Sequence, residues 1–188
     1  MSLVNDLIAR NRAGEAIGLP CFCTANEHVL RAILAYAAKT GFPTVIEATC
    51  NQVNQEGGYT GMTPQGFMEW LTGMAADAGV SMDQLILGGD HLGPNPWKDE
   101  PIEQAMAKAR EMVKLYVKAG FTKIHLDASM ACGGEPNPSF AQIAERAAEL
   151  CAVAEEHAPN PANLVYIIGT EVPIPGGETE EPDALDVT

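Results

Sequence analysis

The chain has 188 residues, of which 46% are hydrophobic, and a formal net charge of −14 at pH 7. This apolar fraction is typical of a globular protein and excludes bulk disorder, and the acidic balance disfavours partners that need clustered Lys and Arg, such as nucleic acid or an anionic membrane. The five cysteines form no C-x-x-C pair, and no apolar run approaches the roughly 20 residues of a membrane-spanning helix. Because residues 1–15 carry charges where a signal peptide needs an apolar core, we expect a cytoplasmic protein with free thiols.

Short apolar runs alternate with stretches of helical period along most of the chain. The predicted strands cover residues 19–24, 44–48, 85–89, 123–127 and 164–169. The predicted helices cover residues 3–13, 26–40, 63–78, 102–119 and 139–157. Gly41 is expected to end the second helix, and Thr63 followed by Pro64 is expected to begin the third. We expect residues 1–172 to form the folded part, followed at 173–188 by a mobile loop or truncated end that is rich in Pro, Gly and Glu.

Strands separated by single helices are typical of βαβ units, which build parallel sheets. Two arrangements remain open on this pattern, a doubly wound sheet and a (β/α)8 barrel. The chain is short for a complete barrel, which needs about 250 residues. In both arrangements reactive groups gather at the carboxyl ends of the strands, where the polar side chains of this sequence also fall. That edge of the sheet is therefore the predicted site.

Asp90 and His91 follow the third predicted strand, directly after two glycines that let a ligand or another backbone approach closely. A neutral imidazole is a good metal ligand, and a carboxylate beside it can act as a general base. The alternative is a structural histidine that caps the following loop.

In the fourth predicted strand, Lys123, His125 and Asp127 share one face, and Ile124 and Leu126 share the other. If His125 points into a barrel beside Asp127, it could bind a metal ion or substrate. It could equally be a core histidine that is satisfied by a hydrogen bond to Asp127. Asp127 lies nearer the edge and is the stronger candidate of the two.

Further polar groups follow the second and fifth predicted strands. Glu47 ends the second strand, where a lone carboxylate serves a metal, a substrate or a structural ion pair. The run 51–55 is rich in amide side chains, which donate and accept hydrogen bonds without charge, as the hydroxyls of a polyol require, although a solvated turn has the same composition. Glu171 follows the fifth strand, and Gly176 and Gly177 beyond it form either a phosphate cradle or a flexible linker.

Sequence motifs for nucleotide binding and for a serine nucleophile are absent. The chain contains no G-x-x-x-x-G-K-[ST] run, no G-x-G-x-x-G after the first strand and no G-x-S-x-G turn. We therefore expect no nucleotide cofactor.

Five runs over residues 18–178 resemble the Z-type subunits of class II D-tagatose-1,6-bisphosphate aldolase. These runs are CTANEHVLRAIL, VIEATCNQVNQEGGYTGMTP, LILGGDHLGPNPW, AGFTKIHLDASMACGGEP and YIIGTEVPIPGGE. Such proteins are described as non-catalytic or accessory subunits in galactitol and N-acetylgalactosamine catabolism, and some are labelled tagatose-6-phosphate kinases. The resemblance implies an α/β fold, the (β/α)8 TIM barrel, of which this chain covers about the first half, four βα units plus the fifth strand. It also implies a catalytic aldolase subunit as partner and a sugar phosphate as ligand.

That family is similar in turn to the catalytic class II aldolases, which are zinc enzymes. By this resemblance Asp90 matches the general acid/base and His91 the first zinc ligand, and the run G-F-T-x-x-x-x-D-x-S matches residues 120–129. Glu171 stands where a later zinc histidine is expected, which implies a site with more carboxylates. The candidate residues are Asp90, Glu47 and Glu171 for catalysis; His91, Asp127 and Glu171 for a divalent metal such as zinc; and Asn51, Gln52, His125 and Ser129 for substrate.

Two functions remain open on the sequence. The first is an accessory subunit that binds the catalytic aldolase subunit and maintains its activity. The second is a metal-dependent enzyme, an aldolase or 4-epimerase that acts on tagatose and fructose 6-phosphates, which differ only at C4. A tagatose-6-phosphate kinase is a less favoured third interpretation, because the sequence carries no nucleotide-binding motif and no clear set of phosphate and Mg²⁺ ligands. We also expect a homo-oligomer to be compatible with either of the first two functions.

Overall fold

A computed structural model gives the fold of residues 3–168. The β-strands of this part of the chain are β1 (Cys21–Cys23), β2 (Thr44–Thr49), β3 (Leu85–Leu92), β4 (Lys123–Leu126) and β5 (Val165–Ile168). The α-helices are α1 (Leu3–Arg12), α2 (Glu27–Thr40), α3 (Pro64–Asp77), α4 (Ile102–Lys118) and α5 (Phe140–His157). Short 3₁₀ turns lie at Gly58–Thr60, Met82–Gln84, Asn95–Trp97 and Pro161–Asn163.

Every predicted strand and helix forms, and the largest difference is at the end of β3. This strand continues to Leu92, so Asp90 and His91 lie within it rather than after it. The register between β3 and β4 shifts between Gly89 and Leu92, and the carbonyl of Leu92 still accepts a hydrogen bond from the N–H of Asp127. Hydrogen bonds between strand backbones do not require apolar side chains. The strand therefore continues beyond residue 89, where the apolar run that predicted it ends.

The strands pair in the order β1-β2-β3-β4-β5, and every pair is parallel. A doubly wound sheet would instead reverse its strand order at a switch point. The uninterrupted order is that of a (β/α)8 barrel, in which right-handed crossovers put every helix on the same outer side. Of the two arrangements open on the sequence, the barrel is confirmed, and the described residues form an arc of it.

Local sequence sets the ends of the helices. α2 ends at Gly41, whose φ of 65° lies in the left-handed region that glycine adopts without steric cost. α3 begins after Thr63, whose hydroxyl accepts a hydrogen bond from a backbone N–H in the first turn, with Pro64 next to it as predicted. Ser139 and Gln142 form a reciprocal capping box at the start of α5. Within residues 3–168, no helix combines the length and the apolarity that crossing a membrane requires.

The outer face of the sheet is apolar and packs against the helices. Ile46, Leu87, Ile124 and Leu126 are each at most 6% exposed and join one core with helix residues that include Leu34, Phe67 and Met112. Because side chains alternate along a strand, the residues between these positions face the inside of the barrel.

The inner face of the sheet is polar in two successive layers. The first layer contains Cys23, Glu47, Gly88 and Lys123, which lie side by side in the register of β1 to β4. Asp90 and His125 lie two residues farther along β3 and β4, nearer the carboxyl edge. The barrel interior thus contains Glu47, Asp90 and His125, three of the residues that the sequence singled out, together with Lys123.

Candidate functional site

Asp90, His91 and His125 form a compact cluster at the carboxyl ends of β3 and β4. The Oδ1 atom of Asp90 lies 2.9 Å from the Nδ1 atom of His125 and 3.1 Å from the Nδ1 atom of His91. The two imidazole rings are 4.2 Å apart between centroids. One possible ligand atom from each residue lies within 4.8 Å of the others. One carboxylate oxygen therefore serves both rings.

The irregular end of β3 brings His91 to this cluster. In a regular strand, neighbouring side chains point to opposite faces, which would direct His91 away from Asp90. His91 instead has a φ of 49°, and it is the only residue other than glycine with a positive φ in the described chain. Such a conformation is uncommon for a residue with a Cβ atom and persists only where the surroundings impose it. Its place here, at a cluster of titratable groups, is typical of a functional site.

The electrostatics of the cluster keep Asp90 ionised. Burial of the Asp90 side chain, which is 17% exposed, raises the pKa of its carboxyl. Hydrogen bonds from His125 and Cys23, together with the charge of His91, outweigh that burial and hold the pKa of Asp90 well below its usual range. In the same environment, burial and the neighbouring Asp90 carboxylate raise the pKa of the Cys23 thiol to about 12. Asp90 is therefore a weak proton acceptor and a strong hydrogen-bond acceptor.

The cluster has the chemistry of a divalent-metal site. Histidines that bind metals commonly donate their other ring N–H to a carboxylate, which fixes the orientation of the ring. Here the Nδ1 atoms of both histidines contact Asp90, as in that arrangement. Two imidazoles and a carboxylate suit zinc and similar transition metals, and the His91 side chain is 44% exposed, so ligands from solution can reach the site. The residues present thus fit such a metal.

Glu47 and Lys123 form a buried ion pair in the layer beneath the cluster. Lys123 Nζ bonds to Glu47 Oε1, and their side chains are only 14% and 7% exposed. The two residues lie on β4 and β2, so the pair spans the intervening strand at Gly88. A Cβ atom at Gly88 would lie 2.7 Å from Glu47 Cγ and 2.8 Å from Glu47 Oε1. The sequence left a metal, a substrate or a structural ion pair as the role of Glu47. The structure shows the ion pair, with Lys123.

Lys123 was not among the residues that the sequence singled out for the site. Its shared face with His125 was evident from the alternation of β4. The signal that could have identified the pairing is the combination of Glu47, Gly88 and Lys123 on successive strands, which requires the strand register.

Asp127 and Ser129 bond to each other rather than to the cluster. The Oδ1 atom of Asp127 accepts hydrogen bonds from the N–H of Ser129 at 3.0 Å and from its hydroxyl at 2.6 Å. This short-range turn holds the chain as it leaves β4. Within residues 3–168, Asp127 contributes no ligand atom to the cluster of Asp90, His91 and His125. Glu171, Gly176 and Gly177 lie outside the described residues.

The two amide candidates have different environments. The Oε1 atom of Gln52 accepts a hydrogen bond from the N–H of Thr49 at 2.9 Å, and the N–H of Gln52 donates to the Thr49 hydroxyl at 3.2 Å. Cys23 Sγ also lies 3.9 Å from Gln52 Oε1, so Gln52 holds the loop after β2 against β1. Asn51 is exposed and lines an open cleft of about 320 Å³ together with Tyr59 and Trp97.

Comparison with known proteins places this fold and site in a family. The sequence profile of the family described as "D-tagatose-1,6-bisphosphate aldolase subunit GatZ/KbaZ-like" matches residues 4–188. The chain is 51% identical over 185 residues to the D-tagatose-1,6-bisphosphate aldolase subunit GatZ of Escherichia coli O157:H7 (strain EC4115 / EHEC), an alignment that covers 97% of this chain and 44% of that protein. It is 48% identical over 188 residues to the GatZ subunit of Salmonella dublin, which covers 98% of this chain and 44% of that protein.

A solved structure agrees with these relatives. The crystal structure of a probable tagatose 6 phosphate kinase from Sinorhizobium meliloti 1021 matches with a TM-score of 0.78 and 51% sequence identity, over 82% of this chain and 39% of that chain. The chain therefore spans less than half the length of the relatives that it matches. On the match over almost its whole length, the chain belongs to the D-tagatose-1,6-bisphosphate aldolase subunit GatZ/KbaZ-like family.

Proposed function

We propose that the protein acts in galactitol and tagatose catabolism as a subunit that supports a class II tagatose-1,6-bisphosphate aldolase. The observation that carries this proposal is the identity of about half of all positions, along almost the entire chain, to proteins named as subunits of that aldolase. The partner would be a separate catalytic aldolase subunit, and the ligand a sugar phosphate in the cytoplasm.

The cluster of Asp90, His91 and His125 favours a second candidate function, a metal-dependent ketose-phosphate 4-epimerase or aldolase. A protein that only binds and maintains a partner has no need of two imidazoles around an ionised, mostly buried carboxylate. In this candidate His91 and His125 would hold a divalent metal such as zinc, and Asp90 would orient both rings. The metal would supply polarisation of a carbonyl or hydroxyl oxygen of the sugar.

The remaining side chains would bind and orient the sugar phosphate. The ammonium group of Lys123, held in the barrel interior by Glu47, offers a positive charge near the cluster for a sugar or phosphate oxygen. The contact of the His125 Nδ1 atom with Asp90 would fix the orientation of that ring toward the sugar. Asp127, Ser129 and Glu171 remain candidates for metal and substrate contacts, and Gln52 for a sugar hydroxyl. Asn51 instead lines the cleft with Tyr59 and Trp97. A kinase is disfavoured, because the sequence carries no nucleotide-binding motif.

One experiment separates the two candidate functions. The full-length protein and its Asp90→Ala variant would be purified without an aldolase partner, with Asp83→Ala, an exposed aspartate in a turn before β3, as the matched control. Metal content would be measured by mass spectrometry, and interconversion of fructose and tagatose 6-phosphates by coupled assay. Each protein would then be mixed with the catalytic aldolase subunit.

The outcomes are distinct. Bound metal and turnover that are lost in Asp90→Ala but kept in Asp83→Ala would establish the enzyme. No metal and no turnover, together with aldolase activity that rises on mixing and does not depend on Asp90, would establish the accessory subunit. An aldolase whose activity is unchanged on mixing would refute the first proposal.

A further inference from the structure

We propose that the open cleft between the loops after β2 and β3 binds a neutral sugar or sugar alcohol, at a site separate from the Asp90 cluster. The cleft has a volume of about 320 Å³ and is lined by residues of the two loops, chiefly Asn51, Glu56, Tyr59, Pro96 and Trp97. None of Asp90, His91 and His125 lines it. The proposal therefore does not depend on whether the cluster binds a metal.

The size of the cleft and its exposed Tyr59 ring suit a single sugar ring. Small-molecule sites range from about 300 to 1,000 Å³, so this cleft is at the small end. Trp97 is 5% exposed and forms part of the cleft lining, while Tyr59 is 73% exposed at the cleft. The exposed Tyr59 ring can pack against the C–H face of a sugar ring while the ring hydroxyls remain free for hydrogen bonds, and the buried Trp97 supports the wall of the cleft.

The polar groups of the cleft are the kind that sugar hydroxyls require. The Asn51 side-chain amide, which offers both donors and an acceptor, makes no hydrogen bond among the described residues. Glu56 accepts a hydrogen bond from the Nε1–H of Trp97 at 3.1 Å, which lowers the pKa of its carboxyl and keeps it an acceptor. A carboxylate has about four acceptor positions, so capacity remains for a ligand hydroxyl. An amide and a carboxylate at one cleft can thus engage neighbouring hydroxyls.

The charge of the cleft selects against phosphate esters. Glu56 is the only charged residue among those that line it. The nearby Lys108 ammonium is already engaged by Glu100 at 2.6 Å and by Glu56 at 3.4 Å. A phosphate group would meet the Glu56 carboxylate, and no cationic side chain is among the residues that line the cleft to offset the repulsion. The favoured ligand is therefore an unphosphorylated hexose or hexitol rather than the sugar phosphate of the proposed reaction.

Buried hydrogen bonds hold the loop after β2 in place, so the cleft exists before a ligand binds. Asn54 is 3% exposed, and its side chain donates to the carbonyl of Cys50 at 2.9 Å and accepts from the N–H groups of Glu56 and Gly58 at 2.9 and 3.1 Å. Because these bonds fix the loop before a ligand arrives, little ordering is left to oppose binding.

The test is direct binding to the full-length protein by calorimetry and ligand-observed NMR, with unphosphorylated D-tagatose, D-fructose and galactitol as probes. We expect saturable binding of at least one probe with a Kd on the order of 1 to 10 mM. Asn51→Ala and Tyr59→Ala change exposed side chains and should each weaken binding about tenfold, whereas the controls Asn137→Ala and Tyr36→Ala, exposed elsewhere, should change it less than about twofold.

Three outcomes would overturn the proposal. The first is no saturable binding of any probe up to about 100 mM. The second is binding that survives both Asn51→Ala and Tyr59→Ala. The third is binding that D-tagatose 6-phosphate displaces and that Asp90→Ala abolishes, because the ligand would then occupy the cluster.

Discussion

Replacement of Gly88 by alanine tests whether the inner layer of the barrel depends on a position without a side chain. The added methyl would lie 2.7 Å from Glu47 Cγ and 3.2 Å from Glu47 Cδ. These atoms belong to a side chain and not to the backbone, so the sheet need not deform. Glu47 must instead swing away, which separates its carboxylate from the Lys123 ammonium.

The magnitude follows from the burial of the two charges. Separation of a fully buried ion pair costs about 3–5 kcal/mol, since a desolvated charge is left without its partner. Lys123 is 14% exposed and has a flexible stem, so its ammonium can regain part of its hydration. We therefore expect Gly88→Ala to lower the free energy of unfolding by about 2–3 kcal/mol.

The assay is urea unfolding of the full-length protein, followed by far-UV circular dichroism, in a double-mutant cycle with Glu47→Ala. Without the Glu47 side chain, the methyl at position 88 has room, and its cost should fall below about 1 kcal/mol. Gly73 is the matched control, because a methyl there meets no atom within 4 Å and lies inside α3. Gly73→Ala should leave stability unchanged or raise it by about 0.5–1 kcal/mol. A Gly88→Ala cost that is the same with and without Glu47 would refute the reasoning.

Two further predictions concern groups that hold the loops at the carboxyl edge. Tyr116 is fully buried, and its hydroxyl donates a hydrogen bond to the carbonyl of Val53 at 2.9 Å. Tyr116→Phe should therefore lower the free energy of unfolding in urea by about 1–2 kcal/mol and speed amide hydrogen exchange in the loop after β2. A variant with unchanged stability and exchange would contradict this. The Glu135 carboxylate accepts a hydrogen bond from Arg146, which lowers the pKa of Glu135 below its ordinary value of 4.5. That pair contributes stability above the ordinary pKa and loses it as the pH falls through the lowered one. Glu135→Gln should therefore be less stable than the parent at pH 7 and equally stable once the pH is well below the lowered pKa. A stability difference that stays constant between these pH values would exclude the ion pair as its source.

The sequence predicts the elements of this fold well, because apolar runs and helical periods are local properties. It left both a doubly wound sheet and a (β/α)8 barrel open, because the order of strands in a sheet depends on pairings between distant segments. The observed order β1-β2-β3-β4-β5 decides for the barrel. The end of β3 was placed too early, because the backbone bonds that continue the strand leave no trace in the hydrophobic pattern.

The part of the candidate site that lies at strand ends was predictable, because the carboxyl ends of parallel strands meet at one edge of the sheet. Asp90 and His125 lie near the ends of adjacent parallel strands, and their contact at 2.9 Å is what that placement predicts. The alternative partner considered for His125, Asp127, forms a local turn with Ser129 instead. Such a choice between two nearby carboxylates depends on the bulge in β3, which the sequence alone does not reveal.

The uninterrupted strand order also bears on how the chain assembles during synthesis. Each strand pairs with the one made immediately before it, separated along the chain by a single helix and its loops. No strand in the described arc must wait for a distant later segment to fill a gap between earlier strands. Pairing across one helix costs less loop-closure entropy than pairing between the first and the last strand would. The strand order therefore allows the polypeptide to add one βα unit at a time as it leaves the ribosome.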